Sequence, residues 1–235
     1  MSNVGEKVAA VQERVRQAAL RAGRDPDRVT LIAVTKTVPP ERVQEAVACG
    51  VRHLGENRVQ EARDKRPLVA GDAVWHLIGH LQTNKARQAV QLFDWVHSLD
   101  RAELAEELHG RAVTAERRLP VLVQVNVAGE ASKSGVAPEG LIDLVRLATR
   151  LDGLQVKGLM TIAPLAADPE EVRPVFRRLS QLAAEVDSLG LDGVRMEHLS
   201  MGMSHDFEVA IEEGATMVRI GTALFGERTA AYARG

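Results

Sequence analysis

A chain of 235 residues, 45% apolar but only 3% aromatic, has the length of one barrel or sandwich and must fill its interior mainly with Val, Leu and Ala. Its formal net charge of −2 gives no electrostatic reason to expect nucleic acid or an anionic membrane as partner. The single cysteine, Cys49, excludes an intramolecular disulfide, and neither a secretory segment nor a run of about 18 apolar residues occurs, so a soluble, cytoplasmic protein is expected.

The N-terminus sets Val4, Val8, Val11 and Val15 on one helical stripe, a packing face that should end at Gly23 before the GRDPD turn. Strands are expected at 29–35, 51–55, 74–79, 94–99, 121–127, 154–161, 194–200 and 216–220. Helical patterns fall between them, at 40–49, 57–66, 83–92, 100–116, 138–150, 169–188 and 205–213, with a closing turn or short helix after Gly221. Asp168-Pro169-Glu170-Glu171 orders a cap, an N1 proline and first-turn acids. Strands alternating with helices and no linker predict one α/β domain over residues 1–235, a (β/α)8 TIM-type barrel with an extra N-terminal helix. An open doubly wound sheet is the rival, although the first strand–helix turn, TKTVPP, lacks a glycine-rich fingerprint.

Barrel enzymes place their chemistry at the C-terminal ends of the strands. Those ends carry Lys36, then Glu56 and Asn57, His80, Ser98, Asn126, Thr161, Ser200, and Arg219 to Thr222. Singly, each reads as a strand becoming polar where it meets water; together they would converge on one mouth. The hydroxyl-rich turn Ser200–Ser204 and the Arg219-Ile220-Gly221-Thr222 segment follow strands seven and eight, where barrels often bind phosphate. Ser200, Gly221 and Thr222 are the expected phosphate ligands; Gly202 and Gly221 as plain turn residues are the alternative. Lys36 ends an apolar run, on the face of Thr30, Ile32 and Val34. A lysine amine traps a carbonyl only when neutral, which burial or a nearby cation such as Arg219 favours. A lysine, a phosphate cup and an arginine together meet the needs of a pyridoxal phosphate site.

The blocks AVTKT, GENRVQEARDK, WHLIGHLQTNK, VHSLD, GEASKSG, GLMTI, LSMGMSHD and MVRIGTALFG, over residues 5–226, resemble the pyridoxal phosphate homeostasis proteins in wording and order. The resemblance implies a barrel of the alanine-racemase N-terminal type (fold type III) that binds pyridoxal 5'-phosphate as a Schiff base on Lys36. It implies Asn57 near the ring, Arg219 as the pyridine-nitrogen partner, and Ser200, Gly221 and Thr222 on the phosphate. His205, where an acidic residue is common, and Thr35, where serine is common, are its departures. The implied role is intracellular vitamin B6 homeostasis without efficient turnover, and so not an enzyme. Apo-enzymes that require the cofactor are the expected recipients, and a monomer is expected. An arginine cannot release its proton, so it keeps the ring nitrogen unprotonated and weakens the ring as an electron sink. The related racemases also use a tyrosine from a second domain; this chain is read as having none, and its one tyrosine, Tyr232, lies in the tail.

Three alternatives come from other chemistry. A pyridoxal phosphate-dependent amino-acid racemase would use the same site. A cofactor-free Schiff-base aldolase would use Lys157 in the sixth strand, which pairing with Glu197 would instead make structural. A metal site would use His76 and His80, but no further ligand is near in sequence, so His76 and His198 read as buried, hydrogen-bonded histidines. Lys133, in GEASKSG, reads as a mobile surface charge or part of a lid.

Overall fold

In the computed structural model, which describes residues 3–130 and 133–226, the eight apolar runs pair in chain order into a closed parallel barrel. After helix α1 (Asn3–Arg21) the strands are β1 (Thr30–Val34), β2 (His53–Glu56), β3 (Val74–Leu77), β4 (Trp95–Leu99), β5 (Leu119–Gln124), β6 (Leu154–Met160), β7 (His198–Ser200) and β8 (Met217–Ile220). The helices that follow them in turn are α2 (Pro40–Ala48), α3 (Val59–Lys65), α4 (Ala86–Leu92), α5 (Ala102–Thr114), α6 (Leu141–Thr149), α7 (Arg173–Ser188), α8 (Phe207–Glu212) and α9 (Thr222–Phe225). The chain is therefore a (β/α)8 barrel with an extra N-terminal helix, as its alternating pattern predicts. No helix among the described residues is long and apolar enough to cross a membrane.

The two faces of each strand serve different cores. Outward residues join the large apolar layer under the helices, whereas Ile32, Leu122, Met160 and Met217 form a small separate cluster, with Trp95 packed against it. The valine stripe of α1 is buried as expected, and α1 packs on α8 and α9. Arg14 lies 4.6 Å over the Phe207 ring and pairs with Glu208, while Arg24 donates to the carbonyls of Ile211 and Ala215. The added helix thus braces the last two strand–helix units.

Element ends differ from the sequence expectation where side chains capture the backbone. β7 is only His198–Ser200 rather than 194–200, because the Met196 N–H goes to Asp187 Oδ1 (2.9 Å) and the Val194 N–H to the Leu191 carbonyl. β5 stops at Gln124, and Val125, whose N–H goes to the Met160 carbonyl, forms an isolated bridge with Val136. The Asp168 cap is a full capping box with Glu171, and it opens a 3-10 turn that leads into α7.

Candidate functional site

Lys36 stands in the turn just beyond β1, and the chain on both sides of it is held by α3. Lys65 donates to the Thr35 carbonyl (2.7 Å) and to Glu56 Oε1 (2.5 Å), and the Thr35 hydroxyl donates to the same carboxylate oxygen (2.7 Å). On the other side, Glu61 Oε2 accepts from the Thr37 N–H at 2.9 Å. Thr37 has φ 60°, a left-handed conformation that costs a β-branched residue of order 1–3 kcal/mol and persists only where its surroundings impose it. The Glu56–Lys65 pair is buried; burial pushes the Glu56 carboxyl up, against the pull of Lys65. Its second oxygen has no hydrogen-bond partner. This buried ion pair fixes Thr35, the residue before Lys36.

Across the mouth, β8 runs beside β1, with Ile32 opposite Arg219 in register. Arg219 is buried at 4% exposure; Nη1 donates to Ser200 Oγ (2.6 Å) and Nη2 to the Thr161 carbonyl (2.8 Å). Burial pushes its guanidinium down to about 10, with Asp206 opposing the shift, so it remains a cation at neutral pH. The turn after β7 lies beside the start of α9. Gly202 has φ +89°, and an added Cβ would stand 2.8 Å from Phe207 Cα, so only glycine fits this bend. Beyond it, Ser204 Oγ accepts from the backbone N–H groups of Gly221 (3.2 Å) and Ala223 (3.3 Å). Two backbone donors at the β8–α9 junction therefore aim at one oxygen, with the exposed Thr222 between them. Asn57, half-buried, directly follows β2, and its carbonyl lies 2.3 Å from where a Cβ on Gly79 would be.

The structure therefore gathers Lys36, Asn57, Ser200, Arg219, Gly221 and Thr222 at the C-terminal end of the barrel. Of the other polar strand ends, Glu56 and Ser98 face the helices, whereas the Thr161 carbonyl meets Arg219. Glu56 is turned toward α3 by Lys65, because its neighbour Gly55 takes the inward position against Ile32. Ser98 alternates with the inward His97 and is buried, its hydroxyl unpartnered. His80 is exposed and lies 3.4 Å from Asp100. Lys157 pairs with Glu197 (3.2 Å), the structural role weighed above. Lys133 pairs with Glu130 at 2.8 Å; of its loop, residues 131 and 132 lie outside the described residues, as does Tyr232.

A line of histidines runs through the barrel interior. His53 Nδ1 meets His76 Nε2 at 2.9 Å, His76 Nδ1 meets His97 Nε2 at 2.9 Å, and His97 Nδ1 meets Ser200 Oγ at 3.0 Å. His76 is the buried, hydrogen-bonded histidine its sequence position suggests. His198 differs: its buried Nδ1 has no partner, and its ring meets Trp95 edge-on. Burial holds His76 and His97 well below the usual imidazole range, so both are neutral in the fold. A group whose folded pKa is depressed makes the unfolded chain bind more protons below its ordinary value of 6.5. Stability should thus hold its full value above about pH 6.5 and fall as pH drops below it, by about 1.4 kcal/mol per pH unit for each of these two imidazoles. Denaturant midpoints compared at about pH 7.5 and 5.5 check this; equal midpoints would contradict it.

This parallel barrel belongs to the class of the alanine racemase N-terminal domain, whose family model matches residues 7–229. Within that class the chain belongs to the pyridoxal phosphate homeostasis proteins. It is 48% identical to the protein of that name from Aquifex aeolicus (96% of this chain, 99% of the relative) and 40% identical to that of Escherichia coli K12 (97% and 98%). Among solved structures, PipY of Synechococcus elongatus with pyridoxal phosphate bound superposes with a TM-score of 0.83 at 39% identity, over 95% of this chain and 100% of that one. Alanine racemase of Clostridium difficile matches at a TM-score of 0.71 and 14% identity over 97% of this chain and 58% of that one, a likeness of fold alone.

Proposed function

We propose that this protein binds pyridoxal 5'-phosphate at the barrel mouth and serves its homeostasis as a holder of the cofactor rather than as an enzyme. The names of the relatives and the pyridoxal phosphate bound by PipY support the ligand. The donor set fits it: an amine on a braced turn, backbone N–H groups converging on an oxygen position, and a buried cation. Lys36 is the amine to which the aldehyde attaches. The Gly221 and Ala223 amides, with the Ser200 and Thr222 hydroxyls, take the phosphate, and Ser204, which now holds those amides, joins them. Arg219 lies against the ring nitrogen, and Asn57 beside the ring. When bound, the cofactor supplies a reactive aldehyde and an electron-withdrawing ring.

The reading of custody rests on Arg219. It is fastened by Ser200 and Thr161, stays charged, and has only donors to offer, so it orients a ring nitrogen without giving it a proton. An unprotonated ring is a weak electron sink, and loss of an α-proton from an amino acid is correspondingly slow. The test has two readings on one sample. Protein mixed with pyridoxal phosphate and passed through a desalting column should keep visible absorbance in proportion to protein. The same sample in deuterated buffer should exchange no amino-acid α-proton above the rate of free cofactor. Lysine-dependent exchange well above that rate would make the protein an enzyme and end the custody reading.

A further inference from the structure

The interior histidines have no part in that reading, yet they connect its anion cup to the opposite end of the barrel. From Arg219 Nη1 the contacts run to Ser200 Oγ, His97, His76 and His53, every step at 3.0 Å or less. His53 opens into a cleft of about 420 Å³ at the N-terminal end of the strands, lined also by Gln12, Arg16, Asp27, Thr30 and Arg52. We propose that His97, His76 and His53 are positioning residues of the phosphate site: acting through Ser200, they form a relay whose hydrogen bonds reverse direction together when a phosphate at the mouth accepts the Ser200 proton. The proposal rests on the reading that Ser200 faces the cofactor's phosphate.

Arg219 can only donate, so Ser200 Oγ accepts from it and keeps one proton of its own to place. His76 and His97 are neutral, and each has one N–H and one bare nitrogen. Two arrangements satisfy every contact. In the first, Ser200 donates to His97 Nδ1, His97 Nε2–H to His76 Nδ1, and His76 Nε2–H to His53 Nδ1, leaving His53 with Nε2–H. In the second, each ring carries Nδ1–H: His53 donates to His76, His76 to His97, and His97 to Ser200, whose own proton is then free for the mouth. Any mixture sets two lone pairs or two hydrogens against each other inside a buried line, so the three rings change as a unit.

Among the described residues the Ser200 hydroxyl meets Arg219, a donor, and His97, so without a ligand its proton goes to His97 and the first arrangement holds. A phosphate oxygen within reach of Ser200 offers a charged and therefore stronger acceptor. The conversion is balanced. The Ser200 proton passes to His97, each ring passes one on, His53 Nε2 releases one to water, and Ser200 takes its replacement from water at the mouth, so the net change is one proton moved from water at the mouth to water at the far end. A group at the far end of the barrel thereby presents a donor when the cup is empty and a bare nitrogen when it is filled.

Long-range proton–nitrogen spectra of the 15N-histidine-labelled protein read the tautomer of each ring. Without ligand, His97, His76 and His53 should all show the Nε2–H pattern. With saturating pyridoxal phosphate all three should shift to Nδ1–H in parallel, and Ser200→Ala should lose the ligand-dependent shift. Retained visible absorbance with unchanged rings would overturn the relay and leave the cofactor site standing. A shift confined to His97 would overturn it equally. Failure to retain the cofactor at all would instead remove the reading on which the relay rests. The wild-type titration decides the matter even if Ser200→Ala does not fold.

Discussion

Lys65→Ala should cost about 3–5 kcal/mol of folding stability, the cost of leaving a buried charge without its partner. Glu56 is fully buried, Lys65 is 6% exposed, and the next groups able to satisfy the carboxylate are few, since one of its oxygens is already unpartnered. The substitution also removes one of the two donors to the Thr35 carbonyl, which keeps the Val38 N–H (2.9 Å), so the turn that carries Lys36 loses its tie to Lys65 of α3. A urea titration measures the first effect. If Lys65→Ala does not fold, Lys65→Met combined with Glu56→Gln removes both charges together and should recover most of the loss. A drop below about 1 kcal/mol, the level of an exposed pair, would mean that the pair does not stiffen this turn.

Lys36→Ala should separate function from stability in the opposite sense. The side chain is half-buried in a turn, and its removal should cost about 1 kcal/mol or less. The restraints on the turn act on the Thr35 carbonyl and the Thr37 N–H, and both survive the substitution. Covalent capture of pyridoxal phosphate should nevertheless vanish, leaving at most weak reversible binding through the phosphate contacts. Two measurements on one preparation check this, the urea midpoint and the visible absorbance retained after desalting. Full retention by the variant would show that another amine holds the aldehyde.

The barrel itself was legible because its signal is periodic: eight apolar runs separated by helical stripes have few other ways to bury both faces. The mouth was legible for the residues whose place depends only on being next after a strand, such as Lys36, Asn57 and Thr222. What escaped was pairing between distant elements. Lys65 looks like any charge near a helix end, and nothing local links it to Thr35, thirty residues earlier. Glu56 and Ser98 belong to the helix-facing side because the neighbouring residue takes the inward one, a single-step difference that an uncertain strand boundary hides. The histidine line had a signal that alternation could have used. His53, His76 and His97 lie on three consecutive strands, and in each the inward parity falls on histidine. Ser204 was visible only as part of a hydroxyl-rich turn, since its role depends on how far Gly202 bends the chain.

The central claim is that the braced lysine after the first strand is where the cofactor's aldehyde is held. Borohydride reduction of the protein incubated with pyridoxal phosphate, followed by peptide mapping, tests it most directly. The account predicts one pyridoxyl-modified peptide, carrying the label at Lys36, at close to one per chain. Label at Lys65, Lys133 or Lys157 instead, or no label above an unreduced control, would contradict it.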